Sequence, residues 1–431
     1  MKRKIKKSKY PMYKWAKDLF PFNRSITGEG VRKTLKYIKN ILPELKIISE
    51  KTGSKFFDWK IPKEWKVKNA YIKNLKGKTL VNFKDNNLHL LGYSRPIRKQ
   101  MTFKTLSKKL YTLPKQPNFI PYRTSYYKND WGFCLSHNHL KKFNKKDNYY
   151  VEIDSKLFNG ILNYGEIYIK GKTKKEILFS TNICHPSLAN NEISGPVLSM
   201  QIAKFIKSKK RNYSYRIIFV PETIGAIIFI KKNLKNLKKN LLAGFVLSCV
   251  GDDNNYSKIS SRLQNTFADR VLERVFTEMK IKFKKYSFLK RGSDERQFCS
   301  PGINLPVCSF LRTKYGEYKE YHTSRDNLDY ISSKGLNSSF KVMKHLIEKI
   351  EKSEFYKSSN LCEPFLTKHK LKKSLSGERK MLSSTKNLID LIAYSDGTNS
   401  LEDISHITAT NIKYLKSLGK TLLKKGIIVK V

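Results

Sequence analysis

Cys184-His185-Pro186-Ser187-Leu188-Ala189-Asn190-Asn191-Glu192-Ile193-Ser194-Gly195 is the stretch whose reading decides how this chain folds. The run before it, Ile177-Leu178-Phe179-Ser180-Thr181, is apolar enough for a buried strand, and Val197 to Ile206 after it has the apolar spacing of a helix. A histidine, two amides and a carboxylate therefore gather where a strand gives way to a helix. In open α/β sheets that edge is where ligands bind.

The same alternation extends in both directions. Strands are predicted at Tyr150 to Ile153, Glu166 to Ile169, Ile177 to Ile183, Tyr215 to Val220, Phe245 to Val250 and Leu305 to Phe310; helices at Ser194 to Ile206, Ile224 to Lys235, Phe267 to Met279 and Leu336 to Ile350. Such a pattern implies a largely parallel sheet with helices on both faces. Tyr10 to Ile48 reads as two helices, the second capped by Thr27 or Ser25 with Glu29 in its first turn, and Arg24-Ser25 reads as capping and turn chemistry. Between residues 56 and 149 helical periodicity fades and prolines punctuate short alternating runs, which predicts a β-rich insertion. Its aromatic cluster, Tyr122, Tyr126, Tyr127, Trp131 and Phe133, reads as the core of that insertion in preference to a stacking surface.

Beyond a Lys- and Ser-rich linker over Lys368 to Ser384, three short helices, an Asp396-Gly397-Thr398 turn and a final strand at Gly426 to Val429 have the order of a winged helix-turn-helix. The expected domains are therefore 12–55 with 150–355, an insertion at 56–149, and a winged helix at 380–431. Such an appended module serves packing or oligomerisation at least as readily as DNA binding, so a homo-oligomer is allowed for.

With 431 residues and a formal charge of +52, nucleic acid is the first partner to consider. The lysines are spread over nearly every block of the chain, as solvated faces would be, and this disfavours nucleic acid; only Met1 to Lys7 forms a basic tail. No apolar segment is long enough for a signal peptide or a membrane span, and six scattered cysteines without a C-x-x-C pair fit a reducing compartment, so a cytoplasmic protein is expected. Three Gly-Lys-Thr triplets lack the upstream glycine of a phosphate loop, and neither H-E-x-x-H nor a G-x-S-x-G elbow occurs.

Five polar stretches fall at predicted strand ends: His185 to Asn191, Pro221-Glu222-Thr223-Ile224-Gly225, Gly251-Asp252-Asp253, Arg291 to Arg296, and Tyr321 to Asp329. Two histidines with carboxylates or amides on one edge are what a hydrolytic zinc site requires, together with a free carboxylate to activate water. Ala189 to Gly195 with His185 upstream resembles the A-N-D-N-x-S-G signature of the zinc aminopeptidases whose relatives include glutamate carboxypeptidase. Ser293-Asp294-Glu295 with Phe298 and Gly302-Ile303, and Tyr321-His322-Thr323 with Asp326 and Leu328-Asp329, resemble two further segments of that family.

Nearly the whole chain, from Phe20-Pro21-Phe22-Asn23-Arg24-Ser25 to the winged helix, is similar to a bacterial family of aminopeptidase-like proteins with an inserted domain, often linked to surface-polysaccharide biosynthesis. The resemblance implies an α/β fold of zinc-aminopeptidase type, with a mixed sheet, and a peptide or amide-bearing substrate. It further implies one zinc ion held by His185, His322 and the residue at 191, with Glu222 as general base and Asp252, Arg291, Asp294 and Glu295 supporting the pocket. Asn191 stands where the family has an aspartate that bridges two ions, and Thr223 follows Glu222 where a second acid is usual. A third aspartate is absent near Ser248 unless Asp252 or Asp253 replaces it. A neutral amide is the poorer donor for a doubly charged ion, so weak zinc binding, or a site no longer catalytic, is the expectation.

Overall fold

The computed structural model describes residues 10–371 and 383–431; the basic tail Met1 to Lys7 and most of the expected linker lie outside the described residues. Eight strands form the main sheet: β1 (Lys46–Lys51), β2 (Ile161–Ile169), β3 (Glu176–Asn182), β4 (Ser214–Val220), β5 (Leu241–Leu247), β6 (Ser257–Ile259), β7 (Lys284–Tyr286) and β8 (Val307–Leu311). They lie in the order β1-β2-β4-β3-β5-β8-β6-β7. The central four, β4-β3-β5-β8, are parallel, whereas β1, β2 and β6 pair antiparallel with their inner neighbours. The sheet is thus mixed, with a parallel centre.

Every residue of β3, β4, β5 and β8 is buried, as parallel strands covered on both faces must be. Alternate side chains serve two cores. Ile177, Phe179, Ile217, Phe219, Phe245 and Leu247 pack beneath α1 (Met12–Leu19), α2 (Glu29–Ile41), α3 (Ser194–Lys207), and later helices. Leu178, Ile218, Val220 and Val246 point the other way, toward α4 (Ile224–Asn240), and share one apolar cluster with Trp65, Ile72, Tyr93, Phe133 and Val151 of the insertion. The insertion therefore covers a face of the sheet that helices would otherwise cover.

Residues 150–158, assigned on sequence to the main sheet, lie instead in the insertion. Asn148–Phe158 pairs along its length with Glu64–Asn74 and with Ile97–Thr102, and Thr79–Asn82 completes that four-stranded sheet. Only two residues, Asn159 and Gly160, separate this strand from β2, so no loop marks the change of sheet for a reader of the sequence. The cap of α2 also differs from expectation. Gly28, at φ 96°, holds that position without a side-chain bond, while Thr27 Oγ1 accepts from Trp65 N (3.2 Å) and meets the Tyr93 hydroxyl (2.5 Å).

The carboxyl-terminal unit starts earlier than residue 380. Phe355–Ser358 is the middle strand between Asp396–Ser400 and Ile428–Lys430, so the expected turn at Asp396-Gly397-Thr398 is part of a strand. Helices Ser383–Ala393, Leu401–Thr408 and Ile412–Lys424 complete a winged helix. It is seated on α5 (Phe267–Glu278) and α6 (Ser333–Lys352) by Arg270 and Arg274, both paired with the fully buried Asp403, and by Lys349 on Glu402 (2.8 Å). No helix among the described residues is long and apolar enough to cross a membrane.

Candidate active site

A cleft of about 710 Å³ opens at the carboxyl ends of β3 and β4, walled on its far side by insertion residues 122–128. After β3 the chain enters a single π-helical turn, Ala189–Ile193, before α3. Such turns widen the backbone ring and recur at functional sites. Buried Asp326 holds this one, accepting from Asn190 N (2.6 Å) and Asn191 N (3.0 Å), and burial pushes its carboxyl up to about 6.

His185 and His322 come together as the sequence predicts. Their ring centroids are 5.3 Å apart, with the Tyr122 ring edge-on to both. His185 Nδ1 meets Glu192 Oε2 at 2.6 Å, which leaves Nε2 toward the cleft, 3.7 Å from Glu222 Oε2. Burial works against a charged His185, but the Tyr122 hydroxyl and the Glu192 carboxylate outweigh it and hold the ring well above the ordinary histidine range. His322 is the opposite case: burial, with His185 beside it, draws it down to about 3, so it stays neutral. Its Nε2 is buried without a hydrogen-bond partner among the described residues.

Glu222 sits before a classic γ-turn. Thr223 has φ 68° and ψ −74°, and Ile224 N donates to Glu222 O (2.8 Å), a conformation rare for any residue and an outlier for a β-branched one. The turn is held from outside: Asp294 Oδ1 accepts from Thr223 N (2.7 Å) and Arg296 Nη2 donates to Thr223 Oγ1 (2.5 Å). Ser293 Oγ donates to Glu222 Oε1 (2.7 Å). Burial raises the Glu222 pKa, with His185 and Ser293 opposing. Burial and the nearby Glu222 hold Asp294 well above the carboxylate range.

The other predicted residues divide. Asn191 is buried, its Nδ2 3.8 Å from Cys249 Sγ and its Oδ1 without a partner among the described residues. Asp252 is fully buried behind the turn, bound to Asn190 Nδ2 (3.1 Å) and Thr313 N (3.0 Å), so it does not replace the missing acid near Ser248; Asp253 is exposed. The Ser248 hydroxyl is spent on Asn191 O (2.9 Å). Glu295 is also internal, accepting from Gly292 N, Ser293 N and the Tyr315 and Ser309 hydroxyls, and so shapes the loop without reaching the cleft. Arg291 is exposed over the Phe288 ring and does not line the cleft; Arg296 does.

Several participants escaped the sequence reading. Arg24, taken for capping chemistry, is buried and donates to His185 O (2.9 Å) and Leu19 O (2.7 Å). Tyr122 and Tyr126, taken for core, line the cleft with their hydroxyls 3.0 Å apart, whereas Trp131 and Phe133 are core. The only available signal was the clustering of aromatics, which does not separate wall from interior.

The donor set suits one ion. Among the described residues His322 Nε2 and Asn191 Oδ1 lack partners and His185 Nε2 has only Glu222 Oε2 at 3.7 Å, while Thr223 and Ser248 stand where further carboxylates would be needed for a second ion. Cys184, His185 and Glu192 also offer donor atoms within 4.8 Å of one another. That group is satisfied internally: Nδ1 and Glu192 engage each other, and burial holds the Cys184 thiol up at about 12, hence protonated and a poor ligand.

Residues 13–353 match a family described as a domain of unknown function (DUF4910), and residues 354–430 match a winged helix-turn-helix. A Clostridium acetobutylicum protein named as a candidate polysaccharide biosynthesis protein with an aminopeptidase-like domain is 42% identical over 416 residues, 96% of this chain and 94% of its own. A crystal structure from Clostridium acetobutylicum, described as that of a candidate peptidase, is 40% identical with a TM-score of 0.80, covering 97% of this chain and 96% of that one. A zinc aminopeptidase from Bacillus subtilis matches with a TM-score of 0.59 at 14% identity, covering 79% and 94%, which shows a common fold.

Proposed function

This chain belongs to the DUF4910 family and is aminopeptidase-like in fold, and on that premise we propose that its cleft is the active site of a metal-dependent hydrolase of amide bonds, aminopeptidase or amidase in type. The observation that carries the reading is the convergence of His185, His322 and Glu222 from three separated segments on one cleft, where His322 Nε2 has no partner among the described residues. An ion held by His185, His322 and Asn191 would polarise the scissile carbonyl. Glu222 then takes the proton of the attacking water and returns it to the leaving amine; its raised pKa brings it closer to neutral, where both transfers are feasible. Ser293 and the γ-turn fix the carboxylate so that Oε2 is the free oxygen. Tyr122 and Tyr126 form the wall that excludes bulk water from this side.

A second reading is favoured by Asn191 and Thr223, both neutral at positions where the resemblance expects acids: a catalytically impaired scaffold acting in surface-polysaccharide biosynthesis, a reading supported by the words polysaccharide biosynthesis in the name of the Clostridium relative. Five cysteines buried as free thiols support a reducing compartment, the cytoplasm, for either role. Metal analysis of the purified protein and an amide and peptide-anilide panel separate the two. Bound zinc with hydrolysis lost in Glu222→Gln establishes the hydrolase; metal-free protein with no turnover leaves the scaffold.

A further inference from the structure

The carboxylate on the turn after β3 lies behind a histidine and does not line the cleft. Glu192 is 1% exposed. Its Oε1 accepts from the backbone N–H groups of Cys184 and His185 (2.8 Å for the latter), and its Oε2 sits 2.6 Å from His185 Nδ1. Arg24 grips the His185 carbonyl from the other side (2.9 Å). Asn191, the preceding residue, offers only an uncharged oxygen. We propose that Glu192 is the positioning residue through which this turn supplies negative charge to the ion, acting through the His185 ring. This rests on the metal-dependent reading given above.

The physical reason lies in the proton. A carboxylate facing Nδ1 can only accept, so Nδ1 carries the hydrogen, and the one ring proton an ion would have to displace is that on Nε2, the nitrogen that faces the cleft. The same charge makes Nε2 a stronger donor, which compensates in part for the neutral amide at 191. Glu192→Gln reverses this logic. Its amide oxygen would still be required by the two backbone N–H groups, so its NH2 would face Nδ1, and the ring proton would be driven to Nε2, where it blocks the ion. Deletion to alanine would orphan two buried N–H groups and test folding instead.

The experiment is a zinc titration against a competing chelator on full-length wild type, Glu192→Gln, Glu192→Asp and Asn191→Asp, with a thermal melt of each. Glu192→Gln is expected to bind zinc about 10- to 100-fold more weakly with its melt retained. Glu192→Asp, which keeps the charge on a shorter arm, is expected to lose less. Wild-type zinc affinity left unmoved by both substitutions overturns the role of Glu192 while the metal reading stands. Neither wild type nor Asn191→Asp taking zinc overturns both.

Discussion

The floor of the cleft and the joint beneath the winged helix are both dense with buried polar groups, yet they are built on opposite rules. At the joint every charge is answered: Asp403, with no exposed side-chain surface, takes Arg270 at 2.7 Å and Arg274 besides, and caps its own helix through Ser400. In and behind the cleft, His322 Nε2, Asn191 Oδ1 and Asp294 Oδ2 lack partners among the described residues, and Thr223 and His322 in its lining, with Ser187 and Cys249 behind it, have positive φ without being glycine. Unanswered groups and strained backbone cost stability, and they persist where the surrounding fold overdetermines them. The joint answers its charges; the cleft leaves polar atoms open inside the fold.

That contrast breaks most visibly at Glu222. Glu222→Gln is expected to cut amide turnover by about 10²- to 10⁴-fold. The folded-state pKa of this acid is raised, so its ionised form disfavours the fold at neutral pH, and the melting temperature should hold or rise on substitution. A melt that falls sharply would move Glu222 to the structural side of the comparison. Asp403→Ala should do the reverse. It strands two arginines and removes a cap, and a loss of about 3 kcal/mol is expected in urea unfolding, with amide turnover per folded molecule unchanged.

Thr223→Gly tests the strain directly. Relief of the left-handed β-branched residue is worth about 1 kcal/mol, partly offset by the freer unfolded chain, while turnover should drop because Glu222 loses its fixed direction. Equal turnover would show that the γ-turn does not orient the carboxylate. The smallest effect is expected from acid. Burial alone would raise Asp403, but Arg270 and Arg274 more than offset it and hold it below the ordinary aspartate value. Its contribution is therefore full above that ordinary value and lost as pH falls through the lowered folded one. Hydrogen exchange at pH 3 should accordingly accelerate in residues 383–431 before it does in β3 to β5. Uniform exchange across both would refute the separate joint.

The parts legible in the sequence were those written in local periodicity. The buried strands β3 and β4 carry the apolar runs Ile177-Leu178-Phe179 and Ile217-Ile218-Phe219-Val220, with His185 and Glu222 a few residues beyond them, whereas His322 was legible through its Tyr321-His322-Thr323 segment. What was not legible depends on partners far along the chain. Phe355–Ser358 is only four residues long and becomes a strand by pairing with Asp396–Ser400 and Ile428–Lys430. Arg24 reaches a carbonyl 161 residues away, and Arg296 rather than Arg291 faces the cleft because helix Glu295–Phe298 turns it inward. An arginine in a charge-rich chain gives no local sign of such service.

The two-residue step from Asn148–Phe158 into β2 has a kinetic consequence. The wall is joined to the sheet by this short link, shares its apolar core, and is tied to the cleft floor where Tyr122 N donates to His322 O (2.8 Å). Tyr122 and Tyr126 therefore stand over His185 before any substrate arrives. With the wall in place beforehand, association is expected in a single phase whose observed rate climbs linearly with substrate concentration, and a rate that levels off would reveal a closing step.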